Sequence, residues 1–317
     1  MTKLYHVILF VCILFIGIDV SNASETEIAV IKSQDLPIYQ QAYDGFKKVY
    51  TGKAREFDLK GNPDESDEVV ITIKENPPDM ILAIGLLAAR VAKENFPQTP
   101  VIFCMVYDPL RLSLSGDNIS GISLETQPSD TFQRIRDFFP QAKWVGVLYD
   151  PKKTGKMVSQ AIGTAQKFGF SLIPEEVNSA KLLPDALRAI QNKIDLLWMI
   201  PDSTVVTAES IDFIFMTALQ SNIPVISFSE DMVRKGAIIA ITPDYRAVGE
   251  QAGHMAIEAL KGKKTGKIPV SSASKIRTLV NPGIAKKIGI GINRESSRSL
   301  SYQIEFYSPE RSVSRKR

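Results

Sequence analysis

The chain has 317 residues, a formal net charge of +3, 44% hydrophobic and 23% charged residues, and two cysteines. That balance excludes a disordered chain, which is poor in apolar residues, and a disulfide scaffold, which is rich in cysteine. The charge excess is local: Arg294, Arg298, Arg311, Arg315, Lys316 and Arg317 outnumber Glu295, Glu305 and Glu310, the chain before them is balanced, and no nucleic-acid footprint is expected.

Residues 1–23 read as a secretory signal. Lys3 gives the positive start, Val7 to Ile18 an apolar run, and Ser21, Asn22 and Ala23 a small-x-small cleavage site. The run is about twelve residues long, against the ~20 that span a bilayer, so cleavage and export are expected. Cys12 lies inside the run behind Val11, which is too large for a lipoprotein processing site, so no lipid anchor is expected. Cys104 is then the sole cysteine of the mature chain, and in the apolar stretch from Pro100 to Val106 it reads as a small core residue.

From Glu27 the pattern alternates. Ile28 to Ile31 form an apolar strand, and a loop containing Asp35 leads to a helix over 39–50. Its apolar positions Tyr39, Ala42, Tyr43, Phe46 and Val49 keep a helical period. Strands follow at 55–59, 80–84 and 101–106, with helices over about 66–76 and 86–95 between them. Gly85 ends the third strand, and the fourth runs into Tyr107, Asp108 and Pro109. Such alternation predicts a parallel sheet with right-handed crossovers. After a loop at 110–118 and an extended piece at 119–123, the pattern begins again. Helices are expected over 129–139, 156–168, from Ser179 or Pro184 to Ile190, and over 208–220, with strands at 144–149, 171–174 and 196–200. A strand from Val225 to Phe228 leads to a polar loop of Ser229, Glu230 and Asp231, a helical turn to Gly236, and a strand over 237–242. Pro243, Asp244 and Tyr245 precede a helix from Val248 to Lys261. Residues 270–280 read as mostly extended, 283–288 as a last helix, and 294–317 as a disordered basic tail.

Two α/β units of similar size thus follow one another. Ligands of open α/β sheets sit beyond the carboxyl ends of the strands. Two such ends, at Phe228 and Thr242, carry acidic residues beside an aromatic, and are expected to form one wall of a small-molecule site. Tyr107 and Asp108 end another strand, although an Asp before Pro is also an ordinary turn starter. Asp35 and Tyr39 follow the first strand and are further candidates. Catalysis is not expected. His6 leaves with the signal, His254 sits in mid-helix, and there is no phosphate loop or His/Cys cluster with metal spacing, so no metal or cofactor is expected.

A set of motifs spans the mature chain. They are Tyr43-Asp-Gly-Phe46, Pro77-Pro-Asp-Met-Ile-Leu82, Pro100-Val-Ile-Phe103 with Asp108-Pro109, and Ile119-Ser-Gly-Ile-Ser123. Then come Pro140-Gln-Ala-Lys-Trp-Val-Gly-Val-Leu-Tyr149, Pro201-Asp-Ser-Thr-Val205, Ile223-Pro-Val225 with Arg234-Lys-Gly-Ala237, Asp244-Tyr245, Leu279-Val-Asn281 and Ala285-Lys-Lys-Ile-Gly289. In this order and spacing, over about residues 27–292, the chain resembles the tryptophan/aromatic amino-acid type of ABC transporter substrate-binding protein, within the type I periplasmic-binding-protein fold. The resemblance implies two Rossmann-like α/β lobes with parallel sheets joined by a three-segment hinge. Lobe one would hold 25–122 and 243–270, and lobe two 123–242 and 271–293. It implies a small-molecule ligand in the inter-lobe cleft, closure about the hinge, a monomer, and no cofactor. The partner implied is an ABC permease and ATPase complex reached through the periplasm, with a membrane sensor receptor as the alternative recipient.

The resemblance also implies site residues. Asp202, Ser203 and Thr204 match an Asp-Asn-Thr triplet except in the middle, and the same residues suit a helix cap. Asp244 and Tyr245 match the family's Asp-Tyr, a carboxylate for an ammonium group and a ring for an apolar body. Two departures stand out. Gly85, Leu86 and Leu87 stand where the family usually has a small polar residue, often as Thr-Pro, after the third strand, and Phe228-Ser229 replace Ser-Asp, with Glu230 next door. Both move the site toward apolar contacts, so an aromatic or apolar-bodied ligand is expected.

Overall fold

The computed structural model describes residues 26–292 and 304–308. The expected signal, 1–23, lies outside them, as do 293–303 and 309–317. Among the described residues no helix is long and apolar enough to cross a membrane.

The chain first lays down β1 (Glu27–Lys32), α1 (Pro37–Val49), β2 (Lys53–Asp58), α2 (Ser66–Glu75), β3 (Met80–Ile84), α3 (Leu86–Asn95), β4 (Val101–Val106) and β5 (Ile119–Ser123). The alternation resumes with α4 (Pro128–Phe138), β6 (Trp144–Tyr149), α5 (Gly155–Lys167), β7 (Ser171–Glu176), α6 (Leu183–Ile190), β8 (Leu196–Trp198), α7 (Ala208–Gln220), β9 (Val225–Ser227), α8 (Glu230–Lys235) and β10 (Ile239–Pro243). It ends with α9 (Tyr245–Leu260), β11 (Ser271–Ser272), β12 (Ile276–Val280), α10 (Pro282–Lys287) and β13 (Ile304–Phe306).

One sheet has the order β11-β5-β4-β3-β1-β2, the other β13-β12-β10-β9-β8-β6-β7. Every pair is parallel except β10 with β12. Each sheet is doubly wound, and its strand order reverses between β1 and β3, and between β6 and β8. The apolar runs explain this arrangement. β3, β4 and β5 are buried at every position, as parallel strands covered by helices on both faces must be. In the first sheet, α1 and α9 cover one face through Phe46 and Val248, and α2 and α3 the other through Ile73 and Val91. In the second, Phe132 of α4 and Ala161 of α5 pack on one face, with Leu187 of α6 and Ile214 of α7 on the other. Cys104 is buried in the first core, as its apolar neighbours predict, and burial pushes its thiol up to about 12.

Helices α1 and α9 meet backbone to backbone. A Cβ at Gly45 would lie 1.9 Å from the Arg246 carbonyl oxygen, and one at Gly249 1.7 Å from that of Ala42. α9 begins at Tyr245, ahead of the expected Val248. Asp244 accounts for the difference, because it accepts hydrogen bonds from the Arg246 and Ala247 N–H groups at 3.0 and 3.1 Å.

The chain passes between the sheets after β5, after β10, and between β11 and β12. The crossings are tied together. Gln127 Nε2 donates to Ser272 Oγ at 2.9 Å, Gln251 Oε1 accepts from the Ser274 N–H at 3.0 Å, and the Asp244 N–H donates to the Lys275 carbonyl at 2.9 Å. Ser271 and Ser272 pair with β5, so this stretch lies in the first sheet, on the other side of the expected boundary.

The expectation of a disordered tail is corrected at residues 304–308. β13 pairs in parallel with β12, and Glu305 receives a two-pronged contact from Arg277, Nε to Oε1 at 3.0 Å and Nη2 to Oε2 at 2.6 Å. Ile304 and Phe306 pack against the second core. The stabilising unit is a few residues long, too short to show in the Ser- and Arg-rich composition around it.

Candidate functional site

A cleft with about 480 Å³ of empty space, open mouth included, lies beyond the carboxyl ends of β4, β8, β9 and β10. Tyr107 comes from the end of β4, and Leu124, Glu125 and Thr126 from the β5–α4 crossing. Thr131 of α4 and Met157 of α5 form one flank. Trp198 ends β8 and Met199 to Pro201 follow it, Ser227 ends β9 and Phe228 follows it, and Ile241 and Pro243 belong to β10.

Aromatic rings shape this cleft. Tyr107, from the first sheet, meets Phe228, from the second, edge to face, with centroids 6.2 Å apart and planes at 83°. Trp198 is 7% exposed and is braced by Phe132 at 5.3 Å. Burial, with a smaller push from Tyr245, lifts the Tyr107 phenol well above its usual range and keeps it neutral. Ser227 Oγ donates to the Ile239 carbonyl at 3.2 Å, which ties β9 to β10 beside the cleft.

Among the described residues, Glu125 is the one carboxylate of the lining, and no Lys, Arg or His lines the cleft. Ser123 Oγ donates to Glu125 Oε2 at 3.1 Å and accepts from the Glu125 N–H at 3.2 Å. Burial raises the Glu125 carboxyl above its ordinary value and Asp108 adds to the rise, while the Ser123 hydrogen bond, Lys156 and Arg111 pull it back.

Of the residues expected from sequence, Tyr107 and Phe228 are among those that line this cleft, and the others have the following contacts. Asp202 is 1% exposed and holds loops together. Its carboxylate accepts from the Asp150 N–H at 2.8 Å, Thr154 Oγ1 at 2.5 Å, and the Thr204 and Val205 N–H groups at 2.8 and 3.2 Å. Thr204 Oγ1 donates to Asp150 Oδ2 at 2.7 Å, and exposed Ser203 accepts from Lys153 Nζ at 2.8 Å. Asp108 has a φ of 44° and turns the chain, with Arg111 Nε at 2.8 Å. Glu230 is held by Arg277 Nη1 at 2.9 Å, and Ser229 occupies the cap position of α8. Asp244 caps α9, while Tyr245 is buried and accepts from Thr242 Oγ1 at 2.9 Å. Exposed Asp35 lies in a separate depression with Lys32, Glu56 and Asp58. Tyr39 packs against Gly85, where a Cβ would meet its hydroxyl at 2.7 Å and Ser33 Oγ at 2.5 Å; with a φ of 93°, only glycine suits that turn. Leu86 packs into the α2–α3 layer.

Glu125, Met157 and Trp198 line the cleft without having been singled out by sequence. Trp198 carried a readable signal, since it ends a strand in a doubly wound sheet. Glu125 carried none, because a crossing between sheets reads like any loop. Among the described residues no group of His, Cys, Asp and Glu is arranged to hold a metal.

The sequence model of a family described as ABC transporter substrate binding protein matches residues 27–300. A tyrosine-binding protein of Clostridioides difficile (strain R20291) is 28% identical over 232 residues, covering 71% of this chain and 66%, just under two thirds, of that protein. Among solved structures, the ABC domain from Streptococcus pneumonia in complex with L-Trp is 22% identical with a TM-score of 0.62, over 87% of this chain and 99% of that one. The ligand-free, open structure of a substrate-binding protein with adhesive properties from Clostridium difficile is 21% identical with a TM-score of 0.73, over 89% and 99%. These two structures share the two-sheet architecture described above. The chain therefore belongs to the ABC transporter substrate-binding proteins, a family of solute binders and not of enzymes, and has the type I periplasmic-binding-protein fold.

Proposed function

We propose that the chain is an exported receptor that captures a small aromatic or apolar-bodied molecule, an amino acid or a relative of one, between its lobes and delivers it to an ABC importer. The observation that carries the ligand class is the cleft wall itself: Tyr107, Trp198, Phe228, Met157 and Ile241 with a handful of polar groups. Such a lining suits a flat or apolar body oriented by few polar contacts. The tyrosine-binding relative and the L-Trp complex support the same class. Residues 1–23 would direct export, and the tied crossings would serve as the hinge, with lobe one near 25–122 plus 243–272 and lobe two near 123–242 plus 273–293.

A thermal-shift panel on residues 24–317 tests the reading, with aromatic and aliphatic amino acids, aromatic amines, aromatic acids and sugars as probes. A ligand at a hundred times its Kd adds about 2.7 kcal/mol to stability. The expected result is a clear rise in Tm with an aromatic member. A rise with sugars alone would overturn the ligand class.

A further inference from the structure

We propose that Glu125 is the ligand-recognising anion of the cleft, and that the molecule it holds presents a primary ammonium group on an apolar body. This rests on the cleft being the binding site, as read above. The argument begins with the charges. Among the described residues, Glu125 is the lining's one carboxylate, no basic side chain lines the cleft beside it, and the Tyr107 phenol is neutral. The formal charge on the described lining is therefore negative and set against apolar walls, with Lys156 and Arg111 acting on it only from outside the lining.

The neighbouring carboxylates are already committed. Asp108 is held by Arg111, Glu230 by Arg277, Asp202 by its four donors, and Asp244 by the start of α9. Glu125 differs. Its Oε2 accepts from Ser123 Oγ, and among the described residues it forms no ion pair. The same serine, 4% exposed, also takes the Glu125 backbone N–H, so the crossing is locally braced. A half-buried carboxylate without a cation is destabilising unless something neutralises it. A ligand ammonium entering between Tyr107, Phe228 and Trp198 does so, with a charge-assisted hydrogen bond.

The charges around Glu125 leave that role open. Asp108, on the β4–β5 loop, repels a second negative charge; Arg111, on the same loop, is occupied by Asp108; and Lys156, on α5, is exposed and outside the lining. An aromatic amino acid and the corresponding amine both carry the required group, and they differ in whether a carboxylate is tolerated or needed.

Calorimetric titration of residues 24–317 with tyrosine, tyramine and 3-(4-hydroxyphenyl)propionate separates these cases, in the parent protein and in Glu125→Gln, with melting curves to check the fold. The ammonium-bearing members are expected to bind at least tenfold more tightly than the deaminated acid. Glu125→Gln is expected to remove most of that difference while remaining folded. Tyramine affinity should fall as pH is lowered through the raised titration range of Glu125, and this fall should be absent in Glu125→Gln. Comparison of tyrosine with tyramine then reports whether the carboxylate contributes. Binding of the acid as tightly as the amine, or full affinity for tyramine in Glu125→Gln, would overturn the assignment and leave the aromatic-ligand reading standing. No binding of any member to the parent protein would overturn both.

Discussion

Single residues in this fold divide between holding the frame and facing the cleft, and residue type alone does not separate the two. Asp202 illustrates the difficulty. At the end of a strand it looks like a ligand group, yet its carboxylate is consumed by four donors from two stretches of chain, 150–154 and 204–205. Asp202→Ala should leave buried N–H groups of Asp150, Thr204 and Val205 without partners and destabilise the protein by about 3 kcal/mol. A denaturant titration measures this, and a change under about 0.5 kcal/mol would return Asp202 to the list of free cleft groups. The dual reading of the Asp-Ser-Thr triplet, cap or ligand, could not be resolved from sequence because both need an oxygen at the same place. Glu125 was missed for the opposite reason. It lies on a crossing whose spatial neighbours come from β4, β9 and α5, far away along the chain.

Elements were more legible than residues, because hydrophobic period and burial agree along most of the chain. The fully apolar runs of β3 and β4 could only be covered parallel strands, and the helices between them keep a 3.6-residue period. What period cannot show is how closely two helices approach. Gly45 and Gly249 read as neutral small residues in α1 and α9, yet they are where the two backbones touch. Gly249→Ala should therefore destabilise the protein by about 2 kcal/mol or more, since the methyl group meets the Ala42 carbonyl and not a movable side chain. Gly163→Ala, in α5 with nothing within 4 Å of the new Cβ, is the control and should stabilise by about 0.5–1 kcal/mol. Thermal melts of the pair check the contrast, and equal small effects would contradict the close-packed interface. β13 escaped the sequence reading altogether, because its partner strand and its Arg277 clamp are distant contacts.

At the scale of the whole molecule, the two sheets place aromatic residues from both sides against one opening, and the Tyr107–Phe228 pair bridges them. The alternation of elements, the signal-like start, the polar strand ends and the family motifs were enough to read a two-lobed binder from sequence, whereas the strand orders were not legible there. The position of the cleft was read only in part: Tyr107 after β4 and Phe228 after β9 were expected, and the end of β8 was expected through Asp202 and not through Trp198, whereas the β5–α4 crossing was not expected at all. The account's central claim is that a small aromatic ligand occupies this opening, and the chain holds a reporter for it. Of its two tryptophans, Trp144 is 48% exposed at the start of β6, away from the cleft, and Trp198 lines the wall. The direct measurement is tryptophan fluorescence of Trp144→Phe, titrated with a ligand identified by thermal shift and excited beyond the tyrosine band. The account predicts a saturable change in Trp198 emission with the same Kd as calorimetry. Saturable calorimetric binding that leaves Trp198 emission unchanged would place the ligand elsewhere and contradict the account.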